Sequence, residues 1–157
     1  MSDKMTAREL HAWETLQVVS EKLKREVGRE LWTDAELSDA EFTVIANLRV
    51  AGGEMRPGEC ARAIGWDSSR LAHQLRRLEK RGLVAKRPDE TDGRASVLVL
   101  TESGDASYRR AIGPHLRSAR RWFADALTPS QVEGLADALD AVLAHVQSLA
   151  AASEKKS

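Results

Sequence analysis

The chain is poor in most residue types that announce a special chemistry. Its 157 residues include one cysteine, Cys60, one tyrosine and two phenylalanines. A single cysteine excludes an intramolecular disulfide framework and a cysteine-based zinc site. An excess of either charge is lacking too, because 24 Lys+Arg balance 24 Asp+Glu. That excludes a uniformly polycationic nucleic-acid binder and an acidic disordered chain. No apolar run approaches the ~20 residues of a membrane span. The start, Met1-Ser2-Asp3-Lys4-Met5, has no basic-then-apolar signal segment, so the expectation is a cytoplasmic chain without membrane contact. Repeats, low-complexity blocks and long Pro/Gly/Ser linkers are also missing, and the length points to one domain, or to one domain with an oligomerisation extension.

The neutral total conceals segregation. Residues 1–48 carry 6 basic and 10 acidic side chains, residues 49–99 carry 11 and 7, and residues 100–157 carry 7 of each. A basic middle is therefore flanked by an acidic and a neutral segment.

Most of the chain reads as helix. A first helix runs from about Thr6 to Leu31, with Leu16, Val19, Leu23 and Val27 on one face. Ser38-Asp39-Ala40-Glu41 is a capping box opening a second helix, whose Phe42, Ile45, Ala46 and Leu48 turn inward and which Gly52-Gly53 ends. Pro57 suits the first turn of a short third helix, Pro57 to Ile64. Asp67 is the N-cap of a fourth, Ser68 and Ser69 fill its first turn, and Gly82 closes it; Trp66 and Leu71 have the spacing of a hydrophobic staple. Residues 83–87 and 95–100 read as two strands of a hairpin with a turn-rich tip, Pro88 to Arg94. Thr101 caps a fifth helix that Gly113-Pro114 is expected to kink or interrupt. Thr128-Pro129-Ser130-Gln131 opens a last helix with Val132, Leu135, Ala136, Leu139, Val142, Leu143, Val146 and Leu149 on one stripe. The tail from Ala151 to Ser157 has little to bury.

Three helices followed by a hairpin is the order of a winged helix-turn-helix, whose recognition helix enters the major groove. The fold class expected is mainly α with a small two-stranded β wing and helices at both ends. Residues 67–81 are the recognition candidate. Leu71, Leu75 and Leu78 fall on one narrow face; Arg70, His73, Gln74, Arg77 and Arg81 fall on another, flanked by Arg76 and Lys80. Arginine can read guanine, and glutamine adenine, by paired hydrogen bonds. The plain alternative is a solvated basic face on an ordinary surface helix. Between Ser69 and Arg87 there are seven basic residues, Arg87 among them, against one acidic. Arg94 near the hairpin tip can enter the electronegative minor groove. Asp92 is expected to fix the tip by pairing with an arginine, either Arg94 or one from the recognition helix, since Asp89, Glu90 and Asp92 would otherwise repel phosphate.

Asp92-Gly93-Arg94, followed by Leu100-Thr101 and Gly104, resembles the wing signature of the MarR family of bacterial transcription regulators. The likeness extends to Leu37-Ser38-Asp39-Ala40-Glu41-Phe42, to Trp66 through Leu71, to Leu78 through Val84, and to Leu127 through Gln131. The resemblance implies a homodimer that binds a palindromic double-stranded operator, usually as a repressor relieved by a small-molecule effector or by oxidation. It implies dimerisation through residues of about 6–31 and 101–150, dividing the chain into an N-terminal dimerisation helix (1–35), a DNA-binding lobe (36–100) and C-terminal dimerisation helices (101–157). The DNA-contacting set is then Ser68, Ser69, Arg70, His73, Gln74, Arg76, Arg77, Arg87 and Arg94. Effectors in the family often occupy a cleft between the two parts, where Trp13, Phe42 and His115 are conceivable liners. Oxidation-sensing members carry a cysteine near the start of the first helix, where this chain has none; Cys60 reads as a buried small hydrophobe.

No enzyme, cofactor or metal site is expected. The four histidines are scattered, with no nucleophile–base order, HExxH motif or glycine-rich phosphate loop. The alternatives left are a winged helix serving as a protein-interaction module and a metal-responsive regulator using His11, His115, Cys60 and carboxylates.

Overall fold

The computed structural model describes residues 4–154. Helix α1 spans Ala7–Ala35 and opens on a capping box, Thr6 with Glu9. It continues past the expected end at Leu31 because residues 32–35 contain neither glycine nor proline. It stops where Glu36 turns left-handed, at φ 54°, and delivers Leu37 fully buried into the core. Next come α2 (Asp39–Val50), β1 (Glu54–Met55), α3 (Pro57–Ile64), α4 (Ser68–Lys80), β2 (Val84–Pro88), β3 (Ser96–Leu100) and α5 (Glu102–Trp122). A short 3-10 turn (Ala124–Ala126) leads to α6 (Pro129–Glu154). The chain divides into two compact units, residues 1–119 and 120–157.

The sheet has three antiparallel strands in the order β1-β3-β2, not the two expected. The addition is β1, whose Glu54 and Met55 pair with Val99 and Leu98. Two residues carry no period-2 signal, so only the tertiary pairing reveals them. Between β2 and β3 the register runs from Val84 opposite Leu100 to Pro88 opposite Ser96.

The core of the first unit gathers Leu37, Val44, Ile45 and Leu48 from α1–α2, Cys60 from α3, Leu71, Leu75 and Leu78 from α4, and Val84 and Leu98 from the sheet. Cys60 is fully buried, and burial pushes its thiol pKa up, in keeping with a packing role. Among the expected inward positions of α2, Ala46 is only half-buried, while Val44 is completely enclosed.

Helix α5 is tied at its start to the junction of α4 and β2. Thr101 donates its hydroxyl to the Gly82 carbonyl at 2.7 Å, accepts from the Gly104 amide at 3.0 Å, and donates its own amide to the Leu83 carbonyl. The interruption expected at Gly113-Pro114 does not occur, since α5 runs continuously through Pro114. Proline removes one helical donor, but Ala111 and Ser118 on either side are buried, and the Ser118 hydroxyl donates to Glu30 of α1. Packing on both flanks holds the helix across the defect.

In the second unit, α6 opens on the expected capping box of Thr128 and Gln131. The expectation about apolar runs needs correction. Pro129–Ser153 is long enough, and over its most apolar 18 residues (mean hydropathy 1.2) apolar enough, to cross a membrane by length and composition, and none of those 18 residues is buried. Glu133, Asp137 and Asp140 interrupt only its first half, so a search for an unbroken run passes over it.

Candidate nucleic-acid interface

The position of α4 is set by its two ends. Gly65, at φ 68°, closes α3 and lets the Trp66 amide reach the Ala61 carbonyl at 2.9 Å. Asp67 then caps α4, its carboxylate accepting from the Arg70 amide at 2.8 Å and from the Ser69 hydroxyl. At the far end Gly82, at φ 70°, allows the Leu83 amide to reach the Leu78 carbonyl. Leu71, Leu75 and Leu78 are buried. Ser68, Ser69, Arg70, His73, Arg76 and Arg77 are exposed. Gln74 lies at the edge of the two faces: it is half-buried, and its Oε1 is enclosed without a hydrogen-bond partner.

Not every arginine of the stripe is equally available. Glu41, the capping residue of α2, is completely buried. One of its oxygens accepts from the Ser38 amide and hydroxyl, both at 3.0 Å, and from Arg81 at 2.9 Å. Its other oxygen lies 3.9 Å from the Arg77 guanidinium. Burial alone would raise the Glu41 pKa, but the Ser38 amide and Arg81 hold it below the usual range. Arg81 also donates to the Glu36 carbonyl at 2.8 Å. It therefore fastens α4 to α1 and α2. Its place on the basic stripe reflects helical spacing, which cannot distinguish a buried ion pair from a solvated cation.

The wing is anchored differently from the expectation. Among the described residues Asp92 pairs with no arginine side chain: its carboxylate accepts from the Arg94 backbone amide at 3.1 Å. The anchoring carboxylate is Asp89, only 9% exposed. Its Oδ2 accepts from Arg56 Nε at 2.8 Å, and its Oδ1 accepts from the Thr91 amide and hydroxyl at 2.8 and 2.7 Å. Thr91, followed by Arg56, holds the Asp89 pKa far below its ordinary value. The Asp89–Thr91 half is an Asx turn, legible from local sequence; Arg56, 33 residues away, is not. Far from being an electrostatic liability, Asp89 neutralises the arginine that precedes α3 and fastens the wing to it.

Arg87 is engaged by Glu54 of β1 and lies 3.7 Å from Glu90, so two carboxylates hold it along the sheet. Arg94 is exposed, and its guanidinium pairs with no carboxylate among the described residues. The tip is closed behind it by the Ala95 amide on the Asp92 carbonyl and the Asp89 amide on the Ala95 carbonyl.

Because the folded-state pKa of Asp89 is lowered, its stabilisation is present above the ordinary aspartate pKa of about 3.9 and fades as pH falls below it. Asp89→Asn is therefore expected to lower the thermal midpoint at neutral pH and flatten the acid limb of the midpoint-against-pH curve. An unchanged acid limb would mean the anchor contributes nothing.

The three residues named as effector liners separate. Phe42 and His115 meet with ring centroids 4.5 Å apart, and Phe42 also stacks on Tyr108 at 5.9 Å. His115 Nδ1 is buried without a partner, and burial lowers the ring's pKa while Asp39 opposes the shift. Trp13 is 54% exposed on α1 and makes no aromatic contact with this pair. Helical spacing had no means of showing that Trp13 lies on the uncovered half of α1.

The MarR family profile matches residues 37–96, from Leu37 just before the α2 cap to the first residue of β3. The HTH-type transcriptional regulator PecS of Dickeya dadantii (strain 3937) is 31% identical over 121 residues, 76% of this chain and 70% of that protein. This chain belongs to the MarR family. The structure of AbsC, a MarR family transcriptional regulator from Streptomyces coelicolor, is 30% identical with a TM-score of 0.85, over 94% of this chain and 99% of that one. Sco3205, a MarR family regulator from the same organism solved in complex with DNA, is 27% identical with a TM-score of 0.86, over 94% and 92% of the two chains. MarR-family proteins are transcriptional regulators rather than enzymes, and the winged helix described above is their DNA-binding fold.

Proposed function

We propose that this MarR-family chain is a cytoplasmic homodimeric repressor that places two α4 helices in successive major grooves of a palindromic operator and releases it on binding a small-molecule effector. The observation carrying this reading is the exposed row Ser68, Ser69, Arg70, His73, Arg76 and Arg77 beside Arg94, which pairs with no carboxylate among the described residues, on a lobe where Arg49, Arg56, Arg81 and Arg87 are tied to carboxylates. Arg70 and Arg77 supply base or phosphate contacts, the serines position the helix N-terminus, and Arg94 enters the minor groove. Gln74 reads a base after turning its amide outward, and Arg87 steadies the wing at its phosphate contact. Residues 36–100 form the DNA-binding lobe.

Dimerisation is supported by apolar side chains that one chain leaves uncovered: Leu10, Leu16 and Val19 on α1, and Leu139, Leu143 and Val146 on α6. On α6 these line one face, with Glu133, Asp137 and Asp140 on the other; a membrane span would be apolar all round. A partner helix in water is the occupant that such a stripe fits. The Phe42–His115 contact lies where α2 meets α5, so an effector bound beside it would shift the lobe relative to the dimerisation helices and spoil the half-site spacing.

Arg94→Ala is expected to weaken operator binding roughly 5- to 150-fold, taking the loss of one arginine contact to cost on the order of 1–3 kcal/mol. The dimer should remain folded and intact. Fluorescence anisotropy at several salt concentrations measures this directly. Unchanged affinity removes the wing from the mechanism, and a salt-independent wild-type affinity removes phosphate neutralisation altogether.

A further inference from the structure

Arg70 is held unlike its neighbours. Arg81 and Arg77 face the Glu41 carboxylate, and Arg87 faces Glu54. Arg70 instead lies over the Trp66 ring, its Cζ 4.1 Å from the centroid, and pairs with no carboxylate among the described residues. Trp66 is itself immobilised: it is half-buried, packs against the core, and its amide is bonded to Ala61. The Arg70 backbone is pinned as well, by the Asp67 cap. Both ends of this side chain are therefore fixed at the first turn of α4, the part of a recognition helix that meets base edges.

The chemistry of the two kinds of support differs. A carboxylate orients a guanidinium by occupying its N–H donors and cancelling its charge. An aromatic face orients it through the ring quadrupole and leaves the charge and the in-plane donors free. The guanidinium so placed loses little further freedom when it meets a guanine edge, and pre-organisation of that kind strengthens binding.

We propose that Trp66 is a positioning residue for sequence recognition: its indole is the platform that pre-sets Arg70 for a guanine in each half-site. This rests on the reading of the protein as an operator-binding dimer. Trp66 packs against the core cluster that includes Leu71, so the staple position expected from spacing and the platform for Arg70 belong to one side chain.

The test is a double-mutant cycle on an operator fragment, using Trp66→Leu and Trp66→Phe, each with and without Arg70→Ala. Trp66→Leu keeps an apolar contact with the core but removes the π face; it is expected to weaken specific binding about 3- to 10-fold. Trp66→Phe should recover most of that loss. In the Arg70→Ala background, Trp66→Leu should add nothing, and base preference should relax at one position of each half-site. Equal losses in both backgrounds, or no loss from Trp66→Leu, would overturn the proposal. A DNA-free readout separates this from the parent reading. The Arg70 Nε–H resonance should be shifted upfield by the indole in wild type and return toward random-coil values in Trp66→Leu, and an unshifted wild-type resonance refutes the platform. Wild type that binds no DNA while showing that shift refutes the function assigned to the platform and the operator reading together.

Discussion

Replacing Gly104 by alanine is expected to destabilise the protein by roughly 3 kcal/mol, the upper end of the usual cost of forcing one extra carbon into a packed site. A Cβ built there lies 2.0 Å from the Leu83 carbonyl oxygen, 2.7 Å from a Leu100 methyl and 3.0 Å from the Leu83 carbonyl carbon. Two of these obstacles are backbone, and Leu83 itself is buried, so the clash cannot be relieved by swinging a side chain aside. Alanine is the better helix former by about 1 kcal/mol, which offsets only part of the cost. Relief requires α5 to lift away from the strand, lengthening the Thr101–Gly82 and Thr101–Leu83 hydrogen bonds that tie it down. A loss of this size should lower the thermal midpoint by about 6–12 °C in a chain this long. Calorimetry or circular dichroism decides it, and a midpoint equal to or above that of wild type would show that the close approach is not structural.

The second large effect is expected on the α6 stripe. Leu143 is 56% exposed, and Leu139, Val142, Val146 and Leu149 share its face. The proposed homodimer would bury these side chains, and Leu143→Glu would then place an unpaired carboxylate in that apolar contact, a cost of several kcal/mol. The isolated chain loses nothing, because the side chain is already in water. The substitution should therefore yield folded monomers by light scattering at micromolar concentration, with operator affinity reduced roughly 10²–10⁴-fold as the second half-site contact becomes bimolecular. A Leu143→Glu protein that remains dimeric would place the dimer contact elsewhere.

Much of this architecture is legible along the chain because it is written in local chemistry. The caps at Thr6, Ser38, Asp67 and Thr128 mark four helix starts through bonds of three residues' reach. The leucine spacing of α4 identifies its buried face, and Gly82 marks its end. What the spacing does not carry is non-local. Strand β1 exists through pairing with a strand more than 40 residues later. The Arg56–Asp89 anchor and the Glu41–Arg81 pair join residues 33 and 40 positions apart. For the same reason spacing placed Arg81, Arg77 and Arg70 on one stripe, although one holds the fold together, one lies near a buried carboxylate, and one rests on an indole. Charge counting is similarly coarse: the surplus of four in residues 49–99 includes Arg56 and Arg87, which carboxylates engage, and Arg94, which none does.

The central claim, sequence-specific binding of DNA by two copies of α4 and the wing, is tested most directly by selecting bound fragments from random DNA at low and moderate salt. The expected result is an enriched inverted repeat with half-site centres about 10–10.5 base pairs apart, and enrichment that Arg94→Ala and Leu143→Glu each diminish. Recovery of unselected sequence at low salt, with no repeat emerging over successive rounds, would contradict it.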